Sequence, residues 1–108
     1  MADMTFTEMQ EMQRVLQEKY LKKWGGLSPE KAIEKLLWLH GELGEVGDIL
    51  KKKGSRAIME EPQIREHFVE ELCDVLMYYN DVLLCFQITP EELENSYRKK
   101  FQTNMSRW

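Results

Sequence analysis

Apolar residues recur every three or four positions in four long segments of the chain, which is the spacing of an amphipathic helix. The first predicted helix covers about residues 6–21, and Thr5 and Glu8 form a capping box at its start. The sequence WGGLSP then interrupts the pattern with two adjacent glycines and so ends this helix. Its predicted apolar stripe is Met9, Met12, Leu16 and Tyr20.

The second predicted helix covers about residues 29–53. Ser28 is its expected N-cap, and Pro29 fits its first turn. A run of three lysines suits the negative end of the helix dipole, and Gly54 ends the helix. The leucines follow a 3,4,3,4 repeat, which is typical of packing along a neighbouring helix, so we predict that they form part of the core. They are Leu36, Leu39, Leu43, Val46 and Leu50.

The polar segment GSRAIMEEPQIREH is predicted to be a solvated loop. A third helix covers about residues 63–86, and a fourth runs from Pro90 to about residue 105, with Thr89 and Glu92 as a second capping box. The third helix has a predicted core stripe of Val69, Leu72, Leu76, Tyr79, Leu83 and Phe86. Because no alternating β-branched run competes, we expect one all-α domain over residues 1–108, built as a four-helix bundle.

Composition narrows the classes of function. The chain has 108 residues, of which 43% are hydrophobic, as expected for one soluble folded domain. Its 19 acidic against 15 basic residues argue against binding to polymeric nucleic acid. The start shows no secretory pattern and no apolar run is long enough to span a bilayer, so we expect a cytoplasmic protein without a membrane partner. Cys73 and Cys85 are too far apart on one predicted helix for a disulfide and are expected to be free thiols that pack.

Two of the predicted helices carry the same acidic pattern, GELGEV and EELCDV. Glu42 and Glu45 share one helix face, as do Glu71 and Asp74, because three residues turn a helix back to within about 60°. Each pair flanks an apolar stripe, and Glu45 has no basic residue three or four positions after it. Four oxygen ligands on facing helices suit Mg²⁺ or Mn²⁺. The remaining acids are mostly expected to be solvated, including Asp48, Glu60, Glu61, Glu91 and Glu94.

Other interpretations of the acids compete with a metal site. Solvated surface acids remain one alternative. Di-iron bundles need Glu-x-x-His, but His40 and His67 follow Leu37 and Ile64 at that spacing. A non-enzymatic helical module that binds nucleotides or protein through the same face is a further alternative.

Phosphate would also require positive charge near the acids. On the fourth predicted helix Lys100, Asn104 and Arg107 share one face, and Lys53 projects within about 20° of Glu42. These residues are candidate phosphate ligands, with ordinary surface charge as the alternative. A separate face of the fourth helix is apolar and consists of Tyr97, Phe101, Met105 and Trp108.

These features together resemble the MazG-like all-α nucleoside triphosphate pyrophosphohydrolases, whose signature is ExxE on one helix and ExxD on the next. Here the signature reads ELGE and ELCD with 25 residues between them. The flanking sequences KKWGGLSPEK, LHGELGEVGDILKKKG, EELCDVLMYYNDV and KKFQTNMSRW also match, so the resemblance covers about residues 18–108.

The resemblance implies Mg²⁺-dependent hydrolysis of a nucleoside triphosphate to the monophosphate and pyrophosphate, with Mn²⁺ as a possible substitute. It implies that the metal ligands are Glu42, Glu45, Glu71 and Asp74, with Asp81 as a further candidate. It also implies that Lys100, Asn104 and Arg107 hold phosphates. Aromatic residues would stack on the base, and the candidates are Trp24, Trp38 and Tyr78. Relatives hydrolyse dUTP, dCTP or a broad range of nucleotides, and no residue here selects among these bases.

The resemblance further implies a homodimer or homotetramer. The residues support this independently, since the flanks of the second and third predicted helices carry apolar and aromatic side chains that need a cover. On the second helix Gly41, Gly44 and Gly47 lie on the side away from the acids, where another helix could approach closely.

Overall fold

A computed structural model describes residues 2–108, and within that range the chain forms helices and no strand. This confirms the all-α prediction for the described residues. Two short helices and one 3₁₀ turn, Pro29–Lys31, accompany four long helices. The helices are α1 (Phe6–Lys19), α2 (Leu21–Trp24), α3 (Ala32–Lys53), α4 (Ser55–Glu60), α5 (Pro62–Cys85) and α6 (Pro90–Arg107).

The predicted helix starts are largely confirmed. The Glu8 amide donates to Thr5 Oγ1 at 3.1 Å and the Thr5 amide donates to Glu8 Oε1 at 3.2 Å, which is a complete capping box. At α6 the Glu92 amide donates to Thr89 Oγ1 at 3.2 Å, which is one half of the second predicted box. The expected cap at Ser28 is wrong, because its side chain makes no capping bond and a 3₁₀ turn precedes α3.

The segment predicted to be a solvated loop is instead helical. Gly54, at φ 87°, separates α3 from α4, and the Glu61 amide then donates to the Ala57 carbonyl to close α4. Pro62 begins α5 immediately afterwards, in the first turn where its missing N–H is not needed. Ile58 is buried, so an apolar anchor within a polar segment holds this short helix in place.

Helices α3 and α5 form the main packed pair of the fold. They run antiparallel, since residues 48–53 share a cavity with residues 63–67 while residues 34–38 share another with residues 74–81. The face between them combines half-buried apolar residues with the predicted acids, for example Val46 and Ile49 beside Glu42 and Glu71. Helix α1 packs on α5 near Asp81, at the end of the pair that includes residues 34–38.

The residues that α1 buries are glutamines. Gln10, Gln13 and Gln17 are all almost fully buried, whereas Met12 of the predicted apolar stripe is mostly exposed. Gln10 Nε2 donates to the Ile88 carbonyl at 3.0 Å, and the other two amides bond to α5. Burial of these amides is tolerated because each donates a hydrogen bond. The predicted stripe of α1 is therefore only partly correct.

The predicted core stripes of α3 and α5 are also mostly wrong for the single chain. Leu43 is 48% exposed and Leu72 is 42% exposed, and Leu83 is the member of the α5 stripe that is fully buried, at 6%. Leu43 follows the inward Glu42, and Leu72 follows the inward Glu71, by one residue, which is about 100° around the helix. Because α3 and α5 are antiparallel, this rotation brings both leucines to the same side of the helix pair. We call this surface the leucine face; it comprises Leu36, Leu43, Leu50, Val69, Leu72, Leu76 and Tyr79.

Helix α6 extends away from the α3–α5 pair and, among the elements of residues 2–108, touches α1. Its apolar residues Tyr97, Phe101, Met105 and Trp108 are all exposed. The radius of gyration is 16.3 Å, against about 13 Å expected for a compact domain of this length. A closed four-helix bundle is therefore not confirmed within one chain.

Every helix in residues 2–108 is too short or too polar to cross a bilayer.

Both cysteines are free thiols. Cys85 is buried, as predicted for a packing residue, whereas Cys73 is exposed and the packing prediction is wrong for it in the single chain.

Candidate functional site: a carboxylate cluster between two pockets

Three of the four predicted metal-ligating acids converge between α3 and α5. One carboxylate oxygen from each of Glu42, Glu45 and Glu71 lies within 4.8 Å of the others. Helix α3 supplies the first two, three residues apart, and α5 supplies the third. We call this group the carboxylate cluster.

Two oxygens of the cluster are buried and lack a hydrogen-bond donor, namely Glu42 Oε2 and Glu71 Oε2. A buried carboxylate oxygen without a donor costs free energy, and a cation removes that cost. Carboxylate oxygens alone, without imidazole or thiolate, are the donor set that Mg²⁺ and Mn²⁺ prefer. The residues present therefore fit a hard divalent cation.

The charges of the cluster perturb one another. Burial, then the side chain of Glu71 and the negative charges of Glu45 and Asp74, raises the pKa of Glu42 from its ordinary 4.5 to about 7. Hydrogen bonding with Glu45, together with Glu42 and the His67 imidazole at 3.3 Å, lowers the pKa of Glu71 although burial opposes the shift. Without a cation, Glu42 therefore holds a proton below about pH 7, whereas Glu71 keeps its negative charge.

The structure places Asp74 and Asp81 outside this close group. Asp74 is half-buried one turn along α5 and lines a neighbouring pocket. Asp81 is only 2% exposed, and its Oδ1 accepts from Gln13 Nε2 at 2.8 Å and from Gln17 Nε2 at 3.2 Å. Burial raises the pKa of Asp81, while the Gln13 bond and the Lys35 charge oppose that shift. Asp81 thus contacts α1, and its predicted role as a metal ligand gains no geometric support.

An aromatic pocket lies on one side of the carboxylate cluster, with a volume of about 430 Å³. It brings together the three aromatic residues predicted from the sequence, Trp24, Trp38 and Tyr78. The rings of Trp38 and Tyr78 are 5.9 Å apart between centroids and tilted by 44°. The pocket is also lined by Gln13, Gln17, Lys35, Asp74 and Asp81. Such a combination of flat apolar walls and a few polar groups is typical of a small-molecule site.

A lysine-containing pocket lies on the other side of the cluster, with a volume of about 460 Å³. Its wall combines the carboxylates of Glu45, Asp48 and Glu71 with Lys52, Lys53 and His67. The predicted residue Lys53 is therefore close to the acids. Lys52 and His67 join it here, although neither was predicted as a phosphate ligand.

The predicted phosphate ligands on α6 are not brought to the cluster within one chain. Lys100, Asn104 and Arg107 are exposed, and the helix that carries them contacts α1 but not α3 or α5. The Arg107 guanidinium instead lies over the Trp108 ring, 4.6 Å from its centroid.

Sequence reasoning missed the glutamines of α1. Gln10, Gln13 and Gln17 recur at spacings of three and four, so a polar helical stripe was available as a signal. A polar stripe is typical of a solvated helix face, but here Gln13 and Gln17 bond to the buried carboxylate of Asp81. Gln10 bonds to the Ile88 carbonyl.

No family model, curated protein or solved structure matches the chain. The likeness to MazG-like enzymes therefore rests on the signature motifs and their flanks.

Proposed function

We propose that the chain hydrolyses a nucleoside triphosphate to the monophosphate and pyrophosphate in the presence of Mg²⁺ or Mn²⁺. One observation carries the proposal: three carboxylates, two of them with buried oxygens that lack donors, lie between an aromatic pocket and a pocket that contains Lys52 and Lys53. A nucleotide has the same order of parts, an aromatic base followed by a chain of anionic phosphates. The signature ELGE and ELCD supports the same reaction.

The order of groups along the α3–α5 pair supports cleavage between the α and β phosphates. Trp38 precedes Glu42 by one helical turn, and Lys52 follows Glu45 by two turns. A base held beside Trp38 brings the nearest phosphate to the carboxylate cluster. The outer phosphates then point towards Lys52 and Lys53, whose charges stabilise a pyrophosphate leaving group.

Glu42, Glu45 and Glu71 would hold the metal ion, with Asp74 one turn away on α5. When bound, Mg²⁺ supplies Lewis-acid stabilisation of the charge that develops on the reacting phosphate. The protein contributes three carboxylates in a fixed arrangement, and Glu42 gives up its proton so that all three are negative. The aromatic pocket orients the nucleoside, and orientation of this kind is a large part of catalysis in phosphoryl transfer.

We further propose that the active species is a homo-oligomer, either a dimer or a tetramer of MazG-like architecture. The single chain exposes 8740 Å², against about 6300 Å² expected for a folded monomer of this mass. The leucine face and the apolar side of α6 are both exposed and form part of this surface. In the proposed assembly a second copy packs on them, and α6 of that copy supplies Lys100, Asn104 and Arg107 to the cluster. A role in clearing nucleotides from the cytoplasmic pool fits this reaction.

Release of pyrophosphate from a panel of nucleoside triphosphates, with and without Mg²⁺, tests the proposal. We expect activity that EDTA abolishes and that Glu45→Gln removes, because the amide cannot supply a negative ligand. Glu60→Gln is the matched control, since Glu60 is exposed on α4 and pairs with Arg56. A thermal-shift titration should show that divalent metal stabilises the wild-type chain and not the Glu45→Gln variant. Full activity in Glu45→Gln would refute the ligand assignment.

A further inference from the structure

The floor of the aromatic pocket carries a polar group that the proposed reaction does not use. Asp81 lies there with Gln13 and Gln17, and both amides donate to the same carboxylate oxygen, Oδ1. The second oxygen, Oδ2, is left out of these two bonds. Gln17 Oε1 also lacks a hydrogen-bond donor. It is buried, and the whole residue is only 6% exposed.

These contacts fix which hydrogen-bonding groups the floor offers to a ligand. Two amide N–H groups converge on one oxygen of Asp81, an arrangement that suits a carboxylate, which only accepts hydrogen bonds when ionised. Burial raises the pKa of Asp81, and the Gln13 bond, the Lys35 charge and the Gln17 bond oppose that shift. Each glutamine Nε2 has two hydrogens and uses one of them on Asp81. The free groups that a ligand can reach are therefore an acceptor at Asp81 Oδ2 and, beside it, a donor at a glutamine amide, since the unpaired Gln17 Oε1 is buried.

We propose that this floor reads the edge of the nucleobase and selects bases that carry an exocyclic amino group next to an unprotonated ring nitrogen, such as cytosine and adenine. The inference rests on the proposed function and specifies its substrate. The amino group would donate to Asp81 Oδ2, and the ring nitrogen would accept from Gln13 or Gln17. Trp24, Trp38 and Tyr78 provide the aromatic walls for stacking.

Uracil, thymine and guanine present the opposite pattern at this edge. Each offers a carbonyl oxygen where cytosine and adenine have the amino group, and a protonated ring nitrogen where they have an acceptor. The carbonyl would face the Asp81 carboxylate, so two acceptors would meet without a hydrogen. Sites built to hydrogen-bond a substrate N–H reject analogues that lack it by large factors, about 10⁴ in favourable cases.

The pair dCTP and dUTP provides the sharpest test, because the two differ in this edge alone. We expect wild-type kcat/KM to be at least about 100-fold higher for dCTP than for dUTP. This ratio is below the factor of about 10⁴ that a buried polar site can reach. ATP should be preferred over ITP for the same reason. Equal kcat/KM values for dCTP and dUTP would overturn the inference while leaving the proposed reaction intact.

Asp81→Asn should abolish the preference. An asparagine keeps Oδ1 as the acceptor for both glutamine amides and presents Nδ2, a donor, to the base, so the floor then offers two donors and each base meets one matched and one mismatched group. We expect the kcat/KM values for dCTP and dUTP to approach each other, with an unchanged requirement for Mg²⁺. Asp3→Asn, at an exposed position near the start of the chain, is the matched control and should retain the wild-type ratio. Circular dichroism shows whether the variant is folded, and a folded Asp81→Asn that still prefers dCTP would contradict the assignment of Asp81.

If no nucleotide is hydrolysed, the proposed function fails and the pocket can still be tested alone. Calorimetry would then compare cytidine monophosphate with uridine monophosphate on the wild-type chain. Binding at least about 10-fold tighter for the cytidine nucleotide, or about 1.4 kcal/mol, supports base selection, and equal binding overturns it.

Discussion

The leucine face leads to a quantitative prediction about assembly. The chain exposes about 2400 Å² more than a folded monomer of its mass should, whereas a standard stable interface buries about 800 Å² on each partner. Leu76 lies on the leucine face and is 37% exposed in the single chain. Replacing it by glutamate puts a charge into the surface that we propose is covered by a second copy.

Full burial of a leucine side chain stabilises by about 1.5–3 kcal/mol, and Leu76 has 37% of its surface left to bury, so each site contributes about 0.6–1.1 kcal/mol. A two-fold symmetric interface contains the substitution twice, so the dimer loses about 1–2 kcal/mol of apolar burial, or a factor of about 6 to 40 in its dissociation constant. The cost of burying the new charge adds to this loss. Leu76→Glu should therefore dissociate at concentrations at which the wild-type chain is assembled.

Sedimentation velocity over a concentration series measures this directly. The wild-type chain should have at least twice the mass of one chain, 12.9 kDa, and Leu76→Glu should approach the mass of one chain. Val15→Glu is the control, because Val15 is exposed on the side of α1 opposite to Gln13 and Gln17. A wild-type chain that sediments at 12.9 kDa throughout, or a Leu76→Glu variant that assembles normally, would refute the reasoning.

Two further predictions concern stability. Because the pKa of Glu42 is raised from 4.5 to about 7, the folded chain binds more protons than the unfolded chain between these values, so its free energy of unfolding should fall as pH rises through that window. In EDTA, Glu42→Gln should remove this decline and be more stable than the wild-type chain at pH 8, whereas the control Glu94→Gln should keep the decline. Urea unfolding at pH 5 and pH 8 measures the free energy of unfolding of both variants. An unchanged pH dependence in Glu42→Gln would show that another group is responsible. Gly41 lies on the side of α3 away from Leu43, and no atom comes within 4 Å of the position of an added Cβ. Gly41→Ala should therefore stabilise the chain by about 1 kcal/mol in thermal or urea unfolding, and a loss of stability would mean that another helix approaches there.

The helices and their caps could be predicted because the signals are local. Thr5 with Glu8, and Thr89 before Pro90, combine a side-chain oxygen with an amide three residues later, and no distant contact competes with them. The segment around Ile58 was misread, since its polar composition and Pro62 indicate a loop. Gly54 and Pro62 there divide one helix from the next.

The orientation of the helices could not be predicted from periodicity. Helix α3 has two candidate inward faces about 100° apart, one with Leu43 and one with Glu42, and apolar spacing favours the first. The fold uses the second, because Val46 and Ile49 accompany the acids on that side. Leu43 and its neighbours therefore lie on the exposed leucine face.

The candidate site was predictable in its residues and less so in its shape. Glu42, Glu45 and Glu71 are identified from their spacing, and Glu45 also from the absence of a basic residue three or four positions after it, and the structure brings the three together. Asp81 has the correct helical phase for a fifth ligand, but phase does not reveal that Gln13 and Gln17 on α1 would engage it. Contacts between distant segments of this kind depend on tertiary packing.

The most direct test of the account is the identity of the products formed from a nucleoside triphosphate. Purified chain, Mg²⁺ and dCTP should yield dCMP and pyrophosphate in equal amounts, as followed by ³¹P NMR, and Glu45→Gln should yield neither. Formation of dCDP and phosphate, or of pyrophosphate at an undiminished rate in Glu45→Gln, would contradict the central claim that the carboxylate cluster directs cleavage between the α and β phosphates.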